Sequence, residues 1–123
     1  MKTLFLTIFA AFSFTAVSFS QEVKSVTTQS KSELATAKST GLYVFKLPTS
    51  VSAEDVTKNA SYYVNYFKVD FNKSKSEAKI TMLTNDATSR RIIMRFISSC
   101  GINSYNVEGV AMKMDEFYTA FLQ

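Results

Sequence analysis

From Val64 to Ile102 the chain reads as strand, charged turn, strand, capped helix and glycine stop, and few folds accommodate that order. Phe67, Val69 and Phe71 alternate with Lys68, Asp70 and Asn72, the two-residue period of a half-buried strand. Residues 73–76 turn the chain. Ala78, Ile80 and Met82 then alternate with Lys79 and Thr81, so the spacing predicts a hairpin. A helix follows. Asn85 or Asp86 caps it, Ile93, Phe96, Ile97 and Cys100 share its apolar stripe, and Gly101 stands where a left-handed residue closes a helix.

Upstream, Leu42 to Leu47 is a run of β-formers closed by Pro48, which cannot continue a central strand. Tyr43, Phe45 and Leu47 share one face; Leu42, Val44 and Lys46 share the other. Ser52, followed three residues later by Asp55, is close to a capping box and opens a helix carrying Ala53, Val56, Ala60 and Tyr63. Beyond the glycine stop, Asn103 to Met112 is extended, either straight or bent into a hairpin at Glu108-Gly109. Asp115 then caps a short helix with Phe117 and Phe121 one turn apart. The predicted fold class is α+β: a ferredoxin-like β-α-β-β-α-β sandwich over residues 41–123 with a short C-terminal helix. Both crossover helices fall on one face of the sheet. The other face is expected to show Lys46, Lys68, Asp70, Lys79 and Thr81, with Leu42 and Val44 as an apolar strip.

Two segments precede this domain. Lys2 supplies a positive start, Leu4 to Phe19 is apolar apart from small hydroxyl residues, and Ser18 and Ser20 place small side chains before a cut at Gln21. Residues 1–20 therefore read as a secretory signal peptide, and the chain as secreted or periplasmic. The rival reading, a retained anchor, needs ~20 apolar residues, and Thr7, Ser13, Thr15 and Ser18 dilute this run. From 21 to 40, eight of twenty residues are Ser or Thr and none is aromatic, which reads as a flexible tether with at most one weak helical turn at Glu33 to Ala37.

Val64-x-x-Phe67-x-Val69-Asp70, Ala78-x-Ile80, and Ile93 through Cys100-Gly101-Ile102 resemble the second strand, third strand and second helix of the heavy-metal-associated domains of copper chaperones and metal-pumping ATPases. The resemblance runs from about Leu42 to Ile102 and implies the ferredoxin-like fold. It also implies a Met-x-Cys-x-x-Cys loop before the first helix, and here the chain departs from the family: the two cysteine positions fall on Ser50 and Ala53, with Val56 keeping the helix position after them. A hydroxyl and a methyl cannot replace two thiolates around Cu(I), so the metal function does not carry over.

What remains offers little for chemistry. The chain has no histidine, which removes imidazole ligation and the commonest general base. Met112 and Met114 are either packing residues or soft ligands. Glu54-Asp55 and Asp115-Glu116 are adjacent carboxylates, yet both pairs sit in a first helical turn, where acids favour the positive end of the dipole. Cys100, the single cysteine, cannot form an internal disulfide and closes an apolar stripe; it reads as structural. Arg90, Arg91 and Arg95 are expected together on the solvated side of the second helix, with an anion or partner site as the alternative. The strand Glu77 to Leu83 lacks the Gly-Phe pattern of an RNA-recognition motif, so no nucleic acid is expected. The expectation is an exported, non-enzymatic interaction module with an unidentified protein partner. It has no catalytic, cofactor-binding or metal-binding residues and no stable membrane insertion once the signal is cut. The alternative is residual copper binding or trafficking through non-cysteine ligands or a partner.

Overall fold

A computed structural model describes residues 24–123; the signal-peptide reading of residues 1–20 lies outside them. The described chain is an α+β unit built on a six-stranded sheet. In chain order it comprises β1 (Ser25–Thr27), α1 (Lys31–Thr40), β2 (Leu42–Lys46), α2 (Ala53–Ala60) with a 3-10 turn at Ser61–Tyr63, β3 (Phe67–Asn72), β4 (Glu77–Met82) and α3 (Ala87–Ser99). β5 (Ser104–Val107), β6 (Val110–Met112) and α4 (Met114–Phe117) follow, and α4 continues as a wide π turn over Tyr118–Leu122. No helix among the described residues is long and apolar enough to cross a membrane.

The strands lie in the order β3-β4-β2-β1-β5-β6. A ferredoxin-like sheet would set the strand after the second helix directly beside Leu42–Lys46; here β1 lies between them, which corrects the expected strand order. β1 runs parallel to β5, with Val26 opposite Tyr105, and antiparallel to β2, which it meets only at Thr27 and Lys46. Farther along β2 the chain diverges, and the Gln29 side chain takes the place of a strand: its Oε1 accepts the Val44 N–H at 3.1 Å.

The stretch read as a flexible tether is thus, from residue 24 onward, part of the fold, and that expectation is corrected too. Composition misleads here because few apolar residues suffice. Val26 and Leu34 are fully buried, Ala37 nearly so, and the remaining face of α1 is solvated. Local chemistry holds the ends. Ser30 accepts the Glu33 N–H while Glu33 accepts the Ser30 N–H, a reciprocal cap. At the other end Gly41 takes a left-handed φ of 79° and donates to the Ala37 carbonyl. Asn85 Nδ2 donates to the Lys38 carbonyl at 2.8 Å, tying this end to the entry of α3.

The core sits between one sheet face and the helices. Val26, Tyr43, Phe45, Phe67, Ala78, Ile80, Tyr105 and Val107 supply the sheet side; Leu34, Val56, Ile93, Phe96, Ile97, Phe117 and Leu122 close it from above. Phe96 meets Phe67 edge-on at 5.9 Å, and Phe117 stacks on Tyr105 at 4.7 Å. Asp86 caps α3 by accepting the Ser89 N–H at 2.7 Å, and Gly101 exits it at φ 86°. Glu108 and Gly109, both at positive φ, form the tight turn of a β5–β6 hairpin, resolving the alternative left open for this stretch. α4 begins two residues earlier than the spacing suggests. Its N-cap is Lys113, and Asp115 lies within the first turn.

Candidate functional site

The sheet face opposite the core carries no helix among the described residues, and the strand register sets what it shows. Leu42 lies opposite Thr81 and Val44 opposite Lys79 across β2–β4; Lys68 lies opposite Thr81 and Asp70 opposite Lys79 across β3–β4. Lys46, Lys68, Asp70 and Lys79 are exposed, Thr81 and Val44 half-buried. Leu42, a large apolar side chain, is 41% exposed. A shallow hollow of about 570 Å³ is lined there by Val44, Asp70, Asn72, Glu77 and Lys79. The structure therefore brings together every residue that strand alternation assigned to the open face.

The residues weighed for chemistry are scattered. Ser50 is exposed in the loop before α2 and Ala53 is its first helical residue; neither side chain can serve as a soft-metal ligand. Among the described residues, no group of three His, Cys, Asp or Glu side chains is placed to hold a metal ion. Met112 packs against the core and Met114 is exposed. Cys100 is buried at the end of α3. Asn59 of α2 donates to its Sγ at 3.8 Å and to the Ser99 carbonyl at 3.1 Å. Burial pushes the thiol pKa up, the opposite of what a nucleophile needs. The carboxylates do terminal work: Ser52 caps α2 ahead of Glu54 and Asp55, and Glu116 accepts the Lys113 N–H at 2.9 Å.

The arginine cluster is divided, which corrects its expected solvated face. Arg90 is 8% exposed: its Nε donates to the Leu122 carbonyl at 2.6 Å and its Nη1 to Asn85 Oδ1 at 2.8 Å. The C-terminal turn covers it, and the charge satisfies an otherwise unpaired terminal carbonyl. Arg91 lies 4.7 Å above the Tyr118 ring, a cation–π contact, and only Arg95 points freely to solvent. The three guanidinium groups therefore share no anion-binding face.

One surface escaped sequence reasoning. Between α2 and β3 runs an apolar groove of about 440 Å³ whose lining includes Val56, Ala60, Val64, Phe67, Val69 and Phe71. Val64 is 60% exposed, and Tyr62 and Tyr66 lie nearby in the chain, both exposed. The alternation of Phe67, Val69 and Phe71 was legible, but nothing in it revealed the groove left open between this strand and α2. No protein-family model, curated protein or solved structure matches this chain.

Proposed function

We propose that this chain is an exported, non-enzymatic protein-interaction module that receives its partner on the uncovered sheet face. The observation that carries this reading is the face itself: an apolar strip of Leu42 and Val44 bordered by Lys46, Lys68 and Lys79, with a shallow hollow beside Val44 and Lys79. Large exposed apolar groups framed by charge mark contact surfaces more often than plain solvated ones. The fold reads as a ferredoxin-like unit with β1 added to it, because β2, α2, β3, β4, α3 and β5 keep the expected chain order, and β4 pairs antiparallel with both β2 and β3. On this reading the likeness to heavy-metal-associated domains is one of chain order, with Ser50 and Ala53 at the positions of that family's metal-binding cysteines.

A photo-crosslinking amino acid at Lys79, on the sheet face, should trap a protein adduct in the cells that export the chain. The same probe at Arg95, on the helix face, should trap none. Leu42→Glu should abolish the adduct at a stability cost of about 1 kcal/mol or less, because the side chain stands on the open sheet face and outside the core cluster. Equal adducts from both faces, or none from Lys79, would reject the sheet face as the binding surface. A parallel titration with Cu(I) decides the metal alternative, since tight binding by the wild-type chain would replace this reading with metal handling.

A further inference from the structure

The sheet ends at β3, and the bonding pattern shows which backbone groups that edge presents. The Leu83 N–H donates to the Tyr66 carbonyl at 3.0 Å, and the Met82 N–H donates to the Gly41 carbonyl at 2.8 Å. In the antiparallel β3–β4 register, even-numbered β3 residues therefore turn their N–H and C=O groups toward β4. Phe67, Val69 and Phe71 turn theirs outward. Their side chains face the helices and line the apolar groove beside α2, whereas Lys68 and Asp70 stand exposed on the open face.

The segment Phe67-Lys68-Val69-Asp70-Phe71 is complementary to its own reverse. We propose that β3 pairs antiparallel with β3 of a second copy, about a two-fold axis at Val69, so that the two sheets become one. In this register Val69 meets Val69 of the second copy, and Phe67 meets Phe71 of the second copy. Every outward N–H and C=O of the three residues finds a partner. Lys68 and Asp70 fall on the pairs that do not exchange backbone bonds, where side chains stand closest, and each faces the opposite charge. Neighbouring registers that keep the backbone parity fail on charge. Centring on Lys68 sets lysine against lysine, and centring on Asp70 sets carboxylate against carboxylate.

The surroundings agree with this register. Asp70 already opposes Lys79 and Lys68 opposes Thr81 within one copy, so no like charges adjoin along the joined rows. β3 contains no proline, and its pairing with β4 runs unbroken from Phe67 to Asn72, so neither a proline nor a bulge protects the edge. A lysine at an edge usually discourages association, but here Asp70 answers it two residues on. The two-fold axis stands perpendicular to the sheet. Both copies of α2 therefore lie on the same side, and the apolar groove of each is covered by the other. The opposite edge, β6, has only three residues. This contact is separate from the open-face reading and does not depend on it.

Analytical ultracentrifugation of the purified chain over a range of concentrations should give a species of twice the chain mass. Lys68→Asp and Asp70→Lys each place like charges across the axis twice, and each variant alone should sediment at one chain mass with an unchanged circular dichroism spectrum. Mixed in equal amounts, the two should recover a one-to-one dimer, because every facing pair again joins a lysine to an aspartate. Amide exchange at Phe67, Val69 and Phe71 should be slow in the wild type and fast in either variant. A wild type that stays at one chain mass throughout overturns the proposal. So does a dimer that survives both substitutions, or folded variants that fail to associate when mixed.

Discussion

Tyr43 and Tyr105 bury their hydroxyls without a hydrogen-bond partner among the described residues, within a largely apolar core. A buried, unpaired hydroxyl forfeits its bonds to water, so Tyr43→Phe should leave stability at neutral pH unchanged or raise it by up to ~1 kcal/mol. Alkali reveals the same group. Burial raises the Tyr43 pKa to about 12, the nearby Arg90 charge opposing the shift, against 10 in the unfolded chain. A raised pKa means that the unfolded state loses its proton first. The stabilising contribution is intact below pH 10 and drains away as pH rises toward 12. Denaturant titrations at pH 9 and pH 11 should therefore show a smaller alkaline loss in Tyr43→Phe than in the wild type, and equal losses would mean that another group controls the alkaline limb. Strand alternation placed Tyr43 in the core but carried no information about its hydroxyl. Arg90 shows the same limit: helical spacing put it toward solvent, and only the C-terminal turn, arriving 32 residues later, makes its burial tolerable.

At the scale of elements, the sequence was most legible where period and capping coincide. The β3–β4 hairpin and α3 stand where alternation, the Asp86 cap and Gly101 put them. α1 was not legible as a helix: its buried face reduces to Leu34 and Ala37, too few to show a period in a Ser/Thr-rich stretch, and the caps at Ser30 and Gly41 emerge only from the structure. β1 was hardly legible at all. Three residues show no period, and their place is decided by the strands on either side. The loop before α2 offers a direct test of the resemblance to heavy-metal-associated domains. Ser50 is exposed and Ala53 opens the helix, so Ser50→Cys with Ala53→Cys puts two thiols three residues apart at a helix N-terminus, where the dipole favours thiolates. The double variant should bind Cu(I) under reducing conditions, measured by competition with a chromogenic chelator, and the wild type should not. A folded double variant that gains no affinity would limit the likeness to topology.

At the scale of the molecule, β1 is the one strand among the described residues that joins β3-β4-β2 to β5-β6. Starting the chain at Gly41 removes it together with Val26 and Leu34, both fully buried. Such a truncated chain should lose its cooperative thermal transition by circular dichroism; a transition as sharp as that of the full chain would show that the two halves hold together without β1. The parallel β1–β5 ladder also has a consequence in time. Its strands are separated by about 80 residues, and contacts so far apart in sequence form slowly because a long loop must close first. During synthesis β1 emerges long before its parallel partner β5. Until Tyr105 has left the ribosome, the strand that completes the fold has nothing to run beside. The nascent chain is therefore kept from closing its sheet until the β5 segment has been made, so every earlier strand waits on one made late.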